Sequence, residues 1–185
     1  MITKPLGTGF FEVSADSFAI ISATTELTSP AARISRTLSI HNRNNNMIFE
    51  QNPDDPTWWT DTDCLFGECE SVELTVVTDG SSPDDATVDE LSAVAKEANK
   101  YIHAAAELIL ENYSREHFAS LGIDESLLVN ETVDEVANAV TLRSMLVTNA
   151  AEKTFAMSFT APWDSHHSFD VEFENGDAET CAVNG

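Results

Sequence analysis

The sequence predicts an α+β domain: an antiparallel β-sheet with one long α-helix packed on one face, closed by a C-terminal β-hairpin. Three observations predict it. Apolar residues alternate at period two in short runs towards both ends of the chain. One central stretch carries a single apolar stripe at helical spacing. An Asn-Gly pair separates two alternating runs near the C-terminus.

Taken in order, residues 1–50 read as a β-rich N-terminal part. "GFFEV" and "SFAIIS" are short apolar runs, and "ARISRTLSIHN" alternates Ile34, Arg36, Leu38 and Ile40. "RNNN" is a turn from which "MIFEQ" pairs back. "NPDDPTWWTDTD" reads as a loop rich in Pro and Asp. "CESVELTVVT" is a strand with Val72, Leu74 and Val76 on one face, ended by the turn residues of "DGSSPDD". Thr87-Val-Asp-Glu90 has the capping-box form, which places a helix start at Thr87. Behind it, Leu91, Val94, Ala98, Ile102, Ala105, Ile109 and Tyr113 recur at steps of three and four, predicting one continuous helix. Its alanines allow close approach to a sheet.

A second capping box, Thr132-Val-Asp-Glu135, predicts a short helix or turn at 133–138. The period then returns to two. Val140, Leu142, Ser144 and Leu146 share one face, as do Phe155, Met157 and Phe159. Phe169, Val171 and Phe173 set Asp170, Glu172 and Glu174 outward. Asn175-Gly176 is the type I′ hairpin signal, leading into "AETCAV". At 185 residues the expectation is a single domain, 1–185, with a sheet-plus-helix core over 65–185.

The chain has no apolar run long enough to span a membrane, and its first residues lack the basic-then-apolar build of a signal peptide. A cytoplasmic, soluble protein is expected. Cys64, Cys69 and Cys181 form no zinc-binding spacing and cannot all pair within one chain, so reduced thiols are expected and no cofactor is called for.

The charge is uneven: 32 acids face 9 bases, and residues 50–90 hold thirteen acids with no Lys or Arg. Such a surface repels nucleic acid and anionic membranes, which sets both aside as direct partners. It attracts a basic protein partner and speeds the encounter. Solubility or salt adaptation accounts for the same charge without any partner. The candidate partner-binding surface is the acidic, aromatic stretch Asp54, Asp55, Trp58, Trp59, Asp61 and Asp63, because Trp is enriched at interface hot spots. The competing structural reading has both tryptophans capping the core. Glu90, Glu97, Glu107 and Glu111 could mimic phosphates along the helix, but Lys96 and Lys100 interrupt that stripe.

"APWDSHHSFDVEFENG" gathers Trp163, Asp164, His166 and His167 in one corner between two strands. Adjacent histidines on extended backbone point to opposite sides and do not readily share a metal. Ser165 and Ser168 sit in no nucleophile-elbow context. The structural reading has Asp164 accepting backbone N–H groups after Pro162, Trp163 packing as a lid, and one histidine tying the corner. A metal-dependent or hydrolytic alternative would draw on His166, His167, Asp164 and Asp170, with His41 or His103 as distant partners.

An apolar strand, Pro-Trp-Asp, a spacer, a His, an alternating strand, a Gly turn and a final short strand resemble the C-terminal end of a group of small acidic bacterial domains. These have no assigned biochemical activity, and relatives occur among immunity proteins of contact-dependent and secreted toxin systems. Their pattern is Trp-Asp-x-Glu-His-Gly. Trp163, Asp164 and His167 match it, whereas His166 replaces the Glu and Ser168 the Gly. The resemblance spans residues 65–185 and implies a non-enzymatic immunity-type inhibitor that binds a basic protein.

Overall fold

A computed structural model describes residues 47–185. The alternating run from Ile34 to Ile40, and the β-rich reading of the N-terminal part up to Asn46, lie outside the described residues. Among the described residues the chain forms seven strands: β1 (Glu50–Gln51), β2 (Trp58–Phe66), β3 (Cys69–Val77), β4 (Thr141–Asn149), β5 (Thr154–Ala161), β6 (Asp164–Glu174) and β7 (Asp177–Asn184). They join in one sheet in chain order. Between β3 and β4 come helices α1 (Asp85–Lys96), α2 (Ala98–Glu111) and α3 (Arg115–Ser120), a 3₁₀ turn at Glu125–Leu127, and α4 (Val133–Ala139).

The expected purely antiparallel sheet is corrected to a mixed one. β3 and β4 run parallel, with Leu74 opposite Met145 and Val76 opposite Val147. The reason is the helical crossover: it carries the chain back to the end of the sheet where β3 began, so the adjacent strand must point the same way. All other neighbouring pairs are antiparallel.

The expected single long helix is corrected to two shorter ones. Glu97, at φ −97 and ψ 15, separates α1 from α2. Its N–H reaches the carbonyls of Ala93 and Val94, and its own carbonyl accepts from Lys100 N–H at 2.9 Å, a tightened i→i+3 turn. A straight helix from Asp85 to Glu111 would run about 40 Å at 1.5 Å per residue. The bend instead lets α1 lie against β2 while α2 reaches β6 and β7. The buried stripe continues through the break, with Leu91, Val94 and Ala95 before it and Ala98, Tyr101, Ala105 and Ile109 after it. Hydrophobic periodicity therefore carries no mark of the bend.

The C-terminal strands are likewise corrected from a hairpin standing by itself to part of the continuous sheet: Phe155 faces Phe173, and Phe169 faces Val183. The turn within them has Asn175 at φ 53 and Gly176 at φ 81, the two positive angles of a type I′ turn.

Local signals shift in smaller ways. The first helix is capped by Asp84, whose Oδ1 accepts from Thr87 N–H at 2.8 Å, so Thr87 lies inside the helix and not at its cap. Thr132 caps α4, accepting from Glu135 N–H. In β4 a register shift between Leu142 and Ser144 resets the alternation, so Leu142, Met145 and Val147 face the core while Leu146 faces outward.

The core lies between the helices and one face of the sheet. Phe155 and Phe173 stack at 4.8 Å, and Tyr101 of α2 meets both edge-on at 5.4 and 5.8 Å. Among the described residues, no helix is long and apolar enough to cross a membrane.

Candidate functional site

The acidic, aromatic stretch is not a loop throughout: from Trp58 onward it is strand β2. The β1–β2 connection is built by short side chains bonding their own backbone. Asn52 Oδ1 accepts from Asp54 N–H at 2.9 Å, and Asp55 Oδ1 accepts from the Thr57 hydroxyl at 2.6 Å and the Thr57 N–H at 3.0 Å. Those two Thr57 bonds, the hydroxyl first, hold the Asp55 carboxyl below the usual aspartate range.

The tryptophans divide between the two faces of the sheet. Trp59 pairs with Val76 on the core side and is half-buried, with no hydrogen-bond partner for its Nε1 among the described residues. Trp58 pairs with Val77 on the opposite side and is 39% exposed. Asp61 and Asp63 serve the fold. Asp61 accepts from Ile48 N–H at 2.8 Å and Asp63 N–H at 3.0 Å, and Asp63 accepts from the hydroxyl of Ser71, a residue at φ 60. What this stretch offers outward is thus Trp58, Asp54 and Asp63, the last also holding the Ser71 hydroxyl.

At the histidine corner, Pro162 and Trp163 form the turn between β5 and β6, with Ala161 opposite Asp164. Trp163 is a core residue, 1% exposed, whose ring lies 4.6 Å from that of Tyr113. Tyr113 donates to the Val129 carbonyl at 2.8 Å and accepts from Val129 N–H at 3.0 Å, so this tilted ring contact fastens the turn to the end of α2 and the segment before α4. Asp164 accepts from His166 N–H at 3.3 Å, and both its oxygens lie within 2.9 Å of His167 Nδ1. His166 projects into solvent, and the C-terminal Gly185 lies against the His167 ring.

The remaining histidines and acids weighed for chemistry are not assembled at this corner. His103 faces Asp134 of α4 at 3.7 Å, and Asp170 accepts from the Ser158 hydroxyl at 2.6 Å and Asn184 at 2.7 Å. His41 lies outside the described residues. Among the described residues, no group of three or more His, Cys, Asp or Glu side chains is placed to hold a metal ion. The three cysteines are unpaired thiols. Burial, reinforced by the charges of Asp61 and Asp63, pushes the Cys64 thiol up to about 11. Burial and then Asp170 and Glu111 do the same to Cys181, also to about 11.

Sequence reasoning missed two concave features. A cleft of about 420 Å³ opens where the parallel strands β3 and β4 end and α1 begins, lined by Thr78, Asp79, Ser81, Asp84, Thr148 and Asn149. Crevices at the carboxyl ends of parallel strands are common ligand sites. Here Asp79 is held below the usual range by Ser81, backbone N–H first, and Asp84 by Thr87 in the same order, so both acids already serve turns of the chain.

A second cleft, about 510 Å³, lies on the sheet face turned away from the helices, lined in part by Leu146, Ala156, Glu172 and Thr180. The register aligns these four as direct cross-strand neighbours, continuing a row that begins with Thr60 and Thr75. Trp58 and Val77 lie on that same face.

A family model described as "Domain of unknown function (DUF6985)" matches residues 48–182, a span that takes in β1 to β6 and all but the last two residues of β7. No curated protein and no solved structure matches the chain.

Proposed function

The chain belongs to the DUF6985 family, whose description assigns no activity, and from that premise we propose that it is a non-enzymatic interaction protein that binds a basic protein partner, in the manner of an immunity-type inhibitor that blocks a cationic toxin. The observation that carries this reading is Trp58, a large aromatic side chain 39% exposed on the face turned away from α1–α4 of a strongly acidic unit. Residues 47–185 contain 29 acids and five bases. Arg115 is paired with Glu125 at 2.5 Å, which leaves four bases against 28 acids over those residues. Long-range charge draws a basic partner in, and a desolvated tryptophan supplies affinity that salt does not screen.

The test is affinity capture from native lysate with elution in rising salt, followed by reconstitution with the purified partner. The expected result is a single basic protein retained beyond about 0.3 M salt, where exposed charge pairs are largely screened. Replacement Trp58→Ala should weaken it about 30-fold, the scale of a 2 kcal/mol hot spot. A mixture of basic proteins released early, indifferent to Trp58→Ala, would leave the charge as a property of solubility and overturn the reading.

A further inference from the structure

The geometry points to an arginine side chain of the basic partner as the occupant of the cleft on the sheet face turned away from α1–α4; this rests on the reading above and gives it a location. The cleft exists because Ala156 of β5 stands between Leu146 of β4 and Glu172 of β6 in one cross-strand row. A methyl group between two long side chains leaves a depression whose floor is apolar at Leu146 and Ala156 and continues into Thr148 and Thr154. Its volume, about 510 Å³, is within the range of ligand pockets. Glu172, Glu174 and Glu179 form its acidic wall. Glu172 is oriented by the Thr180 hydroxyl, which donates to its Oε2 at 3.0 Å. Among the described residues none of these three carboxylates pairs with a cation.

Apolar floor and acidic wall together match one side chain better than its alternatives. The aliphatic stem of a long basic residue lies along Leu146 and Ala156 while its head meets the carboxylates. Guanidinium is planar, weakly hydrated and able to bond two carboxylate oxygens at once, whereas ammonium gives up its water at greater cost. The acids of α1, Asp85, Asp89 and Glu90, offer charge on an exposed helix surface without such a floor. Charge set beside an apolar floor thus favours the cleft over the helix.

The test is titration of the ¹⁵N-labelled full chain with the blocked peptide acetyl-Gly-Arg-Gly-Arg-Gly-amide, alongside lysine and citrulline versions. The expected result is saturable shifts at the amides of Leu146, Ala156 and Thr180, weaker by about fivefold with lysine and missing with neutral citrulline. Ala156→Leu, which fills the cleft from the outward face, should abolish those shifts, and Glu172→Gln should weaken them. Shifts scattered over all acidic surfaces, equal for arginine and lysine, would overturn the inference. So would a partner whose binding needs Trp58 yet tolerates both Ala156→Leu and Glu172→Gln, and that result would leave the proposed function standing. Localised arginine shifts in a chain that captures no basic protein would uphold the cleft and overturn the function.

Discussion

Gly67 and Ala98 meet where the β2–β3 hairpin touches the start of α2: a Cβ placed on Gly67 would lie 2.6 Å from the Ala98 Cβ. Gly67 also sits at φ +62, at the first central position of a two-residue turn between Phe66 and Cys69, the glycine-first arrangement of a type II′ hairpin. Two requirements fall on one residue, a left-handed backbone and no side chain. Gly67→Ala should cost about 2–4 kcal/mol, from backbone strain plus overpacking. Urea unfolding should show a lower midpoint with an unchanged slope. Adding Ala98→Gly should recover the steric part and leave the backbone part, so the double variant should be more stable than Gly67→Ala alone.

That contact also explains how much of the fold is legible in the sequence. Phe155, Met157 and Phe159, or Phe169, Val171 and Phe173, alternate cleanly because each strand buries one face, and Asn175-Gly176 declares its turn through backbone angles few other pairs accept. The bend at Glu97 leaves no such trace: the buried stripe runs through it, and the contact beside it, Gly67 against Ala98, is made with a residue about thirty positions away along the chain. β2 is hidden for another reason: register shifts between Asp61 and Cys64, and between Cys64 and Phe66, break its period of two just after a Pro- and Asp-rich turn. The parallel pairing of β3 with β4 is a long-range choice that local pattern does not encode. Of the candidate site, the Asp164–His167 pair is close in sequence and so within reach of local reasoning. The cleft is not, because Leu146, Ala156, Glu172 and Thr180 become neighbours only once the register of four strands is known.

The cap of α1 should give a pH signature. Thr87 N–H holds the Asp84 carboxyl below its usual range, so the folded state binds this proton less readily than the unfolded chain does. The stabilisation is therefore present above the ordinary aspartate value of about 4 and is lost as pH falls through the lower folded value. Asp84→Ala should lower Tm at neutral pH, and the gap to the wild type should close as pH drops below about 4. Asp84→Asn keeps an oxygen acceptor for Thr87 and should show a smaller loss with little pH dependence of its own. Thermal scans from pH 7 to pH 3 check both. A gap that stays constant with pH would mean that the ionised carboxylate is not what caps the helix.

The thiols should be slow to react. With Cys64 and Cys181 pushed up to about 11, their thiolate fraction at pH 8 is about a hundredfold below that of a thiol near 9, and the thiolate is the nucleophile. Alkylation by iodoacetamide, followed by peptide mass spectrometry, should be slower at both positions in the native chain than in urea by that order. Cys64, 4% exposed, should be the slower of the two, because access compounds the pKa effect. Fast native labelling of Cys64 would mean that the β2–β3 hairpin opens readily.

Trp58 allows the surface potential to be read directly. Of the three tryptophans, Trp163 is 1% exposed and Trp59 is half-buried on the core side, whereas Trp58 is 39% exposed. A small quencher in solution therefore meets Trp58 first, and Trp58→Phe should remove most of the quenchable emission while leaving the blue-shifted component of Trp163. The sign of the quencher then matters. Acids outnumber bases 29 to five in residues 47–185, and Asp54 lies exposed four residues before Trp58. Caesium should be concentrated at this face and iodide depleted. At low ionic strength caesium, corrected for its intrinsic efficiency on free indole, should quench Trp58 several-fold better than iodide, and the two should converge near 1 M salt, where the screening length falls to about 3 Å. Equal quenching at low salt would mean that the acids are spread too evenly to give Trp58 a negative surround. The electrostatic part of the proposed encounter would then lack its local basis, whatever the total charge of the chain.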